Sequence, residues 1–322
     1  MDGAITTDGA IDGNVQPIDV PPADNTCAAV EVGTTLATPN VVVIVDQSGS
    51  MGTNDFPTGS GVHRWDALEN ALMANPDGLI HSLEASVRWG MAWFHGASRG
   101  ETCPNNTHIV DCALNNYDAI NTQYMALSPG GNTPTGEAID YVVSNLSTII
   151  DDPSQPTIFI LATDGDPNTC ASNNDTRGGQ MHSVSAVTAA FNRTPSIPTY
   201  VISVGTDSMM ANLQAVADAG AGGSGGHVYL ATDTTTLSDA LTTIVGGVVS
   251  CSLTLAGMID PTAACSGGSM VTLAGNPLTC GDPNGWHAVD ATHIQLDGDA
   301  CTTLLGGARP LTATFPCGVI IR

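Results

Sequence analysis

There is no lysine in this chain, and all of its side-chain positive charge comes from seven arginines set against 31 aspartates and glutamates. A formal net charge of −24 repels phosphate backbones and anionic lipid headgroups, which argues against nucleic-acid or membrane-surface binding. It suits solubility in a salty or extracellular medium. No apolar run reaches the ~18 residues that a membrane-spanning helix needs. A positively charged start followed by an apolar core, the mark of a signal peptide, is missing too, so any export signal is expected outside these residues. Also missing are CxxC and Cys/His patterns with zinc spacing, and any His-containing cysteine-protease signature around a cysteine.

What the chain does have is nine cysteines scattered over loop-like segments, many for a cytosolic enzyme of 322 residues. That usage points to disulfides and an oxidising compartment. The odd count leaves one thiol over, or one partner lost with a truncated N-terminus. The intervening eight residues between Cys103 and Cys112 close easily, so a local disulfide between these two is the pairing expected first.

Residues 41–52, VVVIVDQSGSMG, organise the rest. Five aliphatic residues in a row are what a strand buried on both faces of a parallel sheet requires. The strand delivers Asp46 to the carboxyl end of the sheet, where open α/β sheets bind their ligands, and Ser48 and Ser50 follow at alternate positions. One carboxylate and two hydroxyls are hard oxygen donors of the kind Mg²⁺, Mn²⁺ or Ca²⁺ prefers.

Asp46-Gln47-Ser48-Gly49-Ser50 resembles the DxSxS signature of the von Willebrand factor type A family, its metal-ion-dependent adhesion site. Two further segments resemble the rest of that site in the same order. Gly131-Asn132-Thr133-Pro134-Thr135-Gly136 is similar to the threonine loop, with Thr133 in the ligand position, and Leu161-Ala162-Thr163-Asp164-Gly165 is similar to the second-aspartate segment. DxSxS alone is a weak signal; three segments in order, each at a strand end or helix start, are a strong one. The resemblance spans residues 39–250 and implies a Mg²⁺ or Mn²⁺ site, with Ca²⁺ as the other choice, at Asp46, Ser48, Ser50, Thr133 and Asp164. It further implies hydroxyls as direct ligands, aspartates acting largely through water, and a sixth ligand from a partner's carboxylate.

The order of elements agrees with such a fold. Residues 1–38 carry Asp2-Gly3, Asp8-Gly9 and Asp12-Gly13 and then Pro17, Pro21 and Pro22 without periodicity, as a solvated tether does. Their Asp-Gly spacing is too irregular for a calcium-binding repeat. Tethers of this composition resemble those that join a lipid-anchored N-terminus to a surface domain in exported bacterial proteins. Helical spacing predicts helices over 65–72, 135–146, 181–191, 209–219 and 237–249, and strands over 86–94, 157–162, 199–204 and 228–231. Residues 99–113 read as a polar excursion. Alternation of strands and helices predicts a doubly wound, mostly parallel sheet with helices on both faces. Asp164, Asp166 and Asn168 suggest a calcium loop, which Pro167 and the lack of glycine at the sixth position break.

At Cys251 helical periodicity stops. Residues 251–322 hold five cysteines and short β-like runs at 252–255, 293–296 and 311–315, which predict a small β-rich module. Residues 284–287, 294–301 and 315–318 resemble a cysteine-containing tail that follows type A domains in exported proteins of myxobacteria and relatives. A disulfide from Cys251 into this tail would tie the end of the last helix to it. The expected organisation is a tether over 1–38, a type A domain over 39–250 and a C-terminal module over 251–322. The function expected is that of an adhesion or protein-binding module. A metal-assisted hydrolase would need a base that neither His63 nor His95 supplies in a recognisable motif. A scaffold that presents the tail is the third choice.

Overall fold

The computed structural model describes residues 38–96, 102–104, 106–146, 156–206, 209–248, 251–265, 268–305 and 310–321. The expected tether therefore lies, but for its last residue, outside the described residues. The main sheet holds β1 (Asn40–Asp46), β2 (Arg88–Phe94), β3 (His108–Ala113), β4 (Thr157–Thr163), β5 (Thr199–Val204) and β6 (Val228–Ala231) in the order β3-β2-β1-β4-β5-β6. All neighbours run parallel except β3, which closes one edge antiparallel to β2.

Side-chain alternation along β1 explains why helices are needed on both faces. Val41, Val43 and Val45 share one core with Leu68 and Leu72 of α1 (Arg64–Met73), Ile80 of α2 (Leu79–Leu83), Ile120 of α3 (Tyr117–Ala126) and Leu237 and Leu241 of α7 (Thr234–Val248). Val42 and Ile44 share the other with Ile139 and Val142 of α4 (Thr135–Asn145), Val187 of α5 (Thr176–Phe191) and Val216 of α6 (Met210–Gly220). The doubly wound α/β architecture is thus the observed one. Helix α5 begins five residues before the expected start because Asp175 caps it, its carboxylate accepting from Gly178 N at 2.8 Å.

Two elements in the stretch after β2 escape the periodicity. Residues 108–113 form the edge strand β3 rather than part of a polar excursion, and α3 follows it. This is also where the expected Cys103–Cys112 pairing fails. Strand alternation turns Cys112 into the core, so close to β2 that a Cβ on Gly90 would fall 2.6 Å from its sulfur. Cys112 is a free, buried thiol, and Cys103, in the loop ahead of the strand, pairs instead with Cys170, 67 residues away.

The described C-terminal residues build three small antiparallel sheets from β7 (Ser252–Thr254), β8 (Met258–Ile259), β9 (Met270–Leu273), β10 (Asn276–Leu278), β11 (Trp286–Ala288), β12 (His293–Leu296), β13 (Leu311–Thr314) and β14 (Ile320–Ile321). Helix α8 (Gly298–Leu305) packs among them. Disulfides join Cys251 to Cys301 and Cys265 to Cys280, and Cys317 is disulfide-bonded as well. Trp286 is fully buried and meets Phe315 edge-on at 5.9 Å. The core of these sheets is continuous with the α1 and α7 face of the main sheet.

Candidate functional site

Asp46 ends β1 and Asp164 directly follows β4, the neighbour of β1. The chain winds away from β1 towards β2 on one side and β4 on the other, so both carboxylates stand at the topological switch point of the sheet. They are buried, Asp46 at 0 % and Asp164 at 1 % exposure.

Buried carboxylates require donors, and each has them. Ser48 N donates to Asp46 Oδ1 at 2.8 Å and Thr163 Oγ1 to Asp46 Oδ2 at 2.6 Å. Ser50 Oγ donates to Asp164 Oδ1 at 2.7 Å, and the Ser48 and Ser50 hydroxyls lie 3.1 Å apart. A 3₁₀ turn over Gly49–Gly52, anchored by buried Met51, brings the two serines to the same side. Four of the five expected residues therefore form one hydrogen-bonded network.

Thr133 reaches the rim from the other side. Gly49 N donates to Gly131 O at 3.1 Å, Gly130 N to Gln47 O at 2.8 Å and Gln47 Nε2 to Ser128 O at 2.8 Å, which lays the threonine loop along the turn after β1. Thr133 N donates to Asn168 Oδ1 at 3.1 Å and Asn168 N to Thr133 O at 2.9 Å. The Thr133 hydroxyl sits 3.9 Å from where a Cβ on Gly165 would be, beside Asp164. The pinning partners of the loop after Asp164 are thus the residues that imitate a calcium loop. Asn168 holds Thr133, and Asp166 Oδ1 accepts from Met209 N and Asn212 Nδ2 at the start of α6.

Burial, and secondly the charge of Asp164, push the Asp46 carboxyl up to about 7, against the pull of its Thr163 and Ser48 donors. Two acids held dry and close to one another favour a cation between them. Part of that charge is met by Arg64, 4 % exposed, whose Nη1 donates to Asp164 Oδ2 at 2.7 Å. On its outer side Arg64 joins Thr53, Asn54, Asp55, Thr58 and Gly59 around a cleft of about 340 Å³.

Arg64, Thr163 and Asn168 are contributors that motif matching passes over. Arg64 does leave a trace in the sequence, since a cation on the first turn of a helix opposes the helix dipole and calls for a specific anionic partner. Neither histidine considered above offers a free base to the cluster. His63 lies 3.7 Å from Asp55 on the surface, and His95 is buried with Nδ1 against Gly96 O and Asn106.

The von Willebrand factor type A domain family matches residues 40–243. No curated protein sequence matches the chain. Among solved structures, the PilB minor pilin from Streptococcus sanguinis superposes with a TM-score of 0.51 at 15 % identity, over 66 % of this chain and 61 % of that one. The chain thus spans less than two thirds of that relative. Proximal thread matrix protein 1 from the mussel byssus, with a zinc-occupied MIDAS motif, gives 0.45 at 15 % identity over 67 % and 49 %. Manganese-loaded TRAP protein from Plasmodium vivax gives 0.43 at 14 % identity over 65 % and 74 %. At 15 % identity the likeness to the pilin is one of fold.

Proposed function

Because the chain belongs to the von Willebrand factor type A domain family, we propose that it is a metal-dependent adhesion or protein-binding module of an exported or cell-surface protein. In this reading one Mg²⁺ or Mn²⁺ is held at Asp46, Ser48, Ser50, Thr133 and Asp164. Ca²⁺ is the less favoured ion. The observation that carries the reading is the Asp46, Ser48, Ser50, Asp164 network at the switch point, an all-oxygen donor set with two buried carboxylates. Such a set fits a hard divalent cation. The ion would supply an electrophilic centre for a carboxylate from outside.

The residues of the chain do the rest. Ser48, Ser50 and Thr133 present neutral hydroxyls, so little negative charge is spent on direct ligation, and the charge of Asp164 is shared between Ser50 and Arg64. The partner in this proposal is a protein or other ligand with an exposed carboxylate. Hydrolysis is disfavoured because a base beside the metal-bound water is needed, and the His95 ring is engaged through Nδ1 with Gly96 O and the Asn106 amide. The three described disulfides support an oxidising, extracellular setting. Among the described residues no helix is long and apolar enough to cross a membrane. The organisation into a tether over 1–38, a type A domain over 39–250 and a C-terminal module over 251–322 belongs to the same proposal.

Calorimetric titration tests it. Wild type is expected to take up one Mg²⁺ or Mn²⁺ and Asp46→Ala none; equal uptake by both overturns the assignment. A chelator should abolish capture of the partner from native surface extract while the tail stays folded.

A further inference from the structure

Only seven residues of this chain are arginines and none is lysine, yet one of the seven is placed inside the wall of the oxygen cluster. Arg64 opens α1, where the helix dipole disfavours a cation. Its guanidinium is nearly fully buried, and desolvation penalises a charge held there. Room for it comes from Gly205, whose φ of +98° is a glycine conformation and whose missing Cβ would fall 2.6 Å from Arg64 Nη2. Helix position, burial and the absent side chain opposite all work against an incidental arginine. What offsets them is the 2.7 Å bond to Asp164 Oδ2.

Resting on the metal-site reading above, we propose that Arg64 is a positioning residue that tunes the site towards anionic ligands at the expense of metal affinity. Both oxygens of Asp164 are engaged, Oδ1 by Ser50 and Oδ2 by Arg64, so this carboxylate is held back from direct ligation. With Asp46 ionised, as it must be to meet a cation, Asp46, Asp164 and Arg64 together carry one net negative charge. With a divalent cation the centre carries one net positive charge, and a single external carboxylate neutralises it. Without Arg64 the loaded centre is already neutral, and the drive to recruit that carboxylate is gone. A charge a few ångströms away in a dry site is worth at least about tenfold in either equilibrium.

The experiment uses the full chain with Mn²⁺ and then acetate as the probe anion, read by water-proton relaxation of bound Mn²⁺, which falls as acetate displaces coordinated water. Arg64→Gln is expected to bind Mn²⁺ about tenfold more tightly and acetate about tenfold more weakly than wild type. Arg64→Lys keeps the charge and is expected to stay within about threefold of wild type for both. Opposite shifts cannot come from a packing defect, which weakens both. If Arg64→Gln weakens both, or if it fails to fold and Arg64→Lys weakens both, the inference is overturned. A wild type that takes up no Mn²⁺ overturns the metal-site reading itself, a separate result.

Discussion

On Asp46 two demands meet in one carboxyl group. Position at the end of β1 removes it from water and sets it near Asp164, which favours the protonated form, while Ser48 N and the Thr163 hydroxyl donate to its oxygens and favour the charged form. The first pair prevails, and the group is raised from 3.8 to about 7. In the metal-free protein the sign follows directly. A raised folded-state value contributes stability that is present below pH 3.8 and lost as pH rises through about 7. A cation reverses the preference, because binding it must release the proton. Apparent Mn²⁺ affinity is therefore expected to fall by about tenfold per pH unit below pH 7 and to level off above it, as checked by titration between pH 5 and 8.5. A flat profile would mean that Asp46 is already ionised in the free protein. The same burial logic acts on Cys112, whose thiol is pushed up to about 12. It is inert where it sits, consistent with its place in the packed core and not in chemistry.

Elements rather than residues decide how firmly the rim of the site is held. Asp46, Ser48 and Ser50 stand on β1 and its own turn, whereas Thr133 depends on Asn168 in the loop after Asp164. That loop is fastened by the Cys103–Cys170 disulfide and by Cys170 N donating to Glu137 Oε1 at 2.8 Å in the first turn of α4. Replacing both cysteines by serine releases a closed loop of 67 residues, for which chain entropy sets a ceiling of about 4 kcal/mol of lost stability. Mn²⁺ affinity is expected to fall by about tenfold in the same variant, since the metal must then order the loop that carries Asn168. Calorimetry alongside denaturant unfolding checks both, and an unchanged metal affinity would show that the threonine loop needs no such fastening. The elements also divide cleanly by how legible they were. β1 and β4 announce themselves by aliphatic runs, and α1, α4, α5, α6 and α7 by helical spacing, whereas α2 and α3 do not. β3 does not either, because His108, Val110 and Asp111 read as mixed polarity and only Cys112 is buried. The Cys103 pairing was illegible for the same reason. Sequence proximity favoured Cys112, and only the strand it occupies turns it away. The grouping of Asp46, Ser48, Ser50 and Asp164 is legible because three segments resemble the type A site, whereas Arg64 lies outside all three and its partner is 100 residues away.

Over the whole molecule, the question is whether metal binding at one end of the sheet is felt by the C-terminal sheets. Two links make them one body. Cys251, three residues beyond α7, is bonded to Cys301 in α8, and a single apolar core runs from Leu68 and Leu241 through Leu253 and Leu296 to Trp286. A module tied in this way opens by global unfolding rather than on its own, because separating it would expose the apolar face that α1 and α7 share with it. A ligand that binds only the folded state slows every exchange event that requires global unfolding, by about 2.7 kcal/mol at a hundredfold excess over its Kd. Amide hydrogen exchange in β11 and β12, paired from Trp286↔Leu296 to Ala288↔Ile294, is therefore expected to slow by about a hundredfold on saturation with Mn²⁺, though the cluster lies on the type A sheet. Asp46→Ala should remove the effect. Should β11 and β12 exchange at the same rate with and without Mn²⁺ while β1 and β4 slow, the tail opens by itself, and the Cys251 tether joins two bodies instead of completing one.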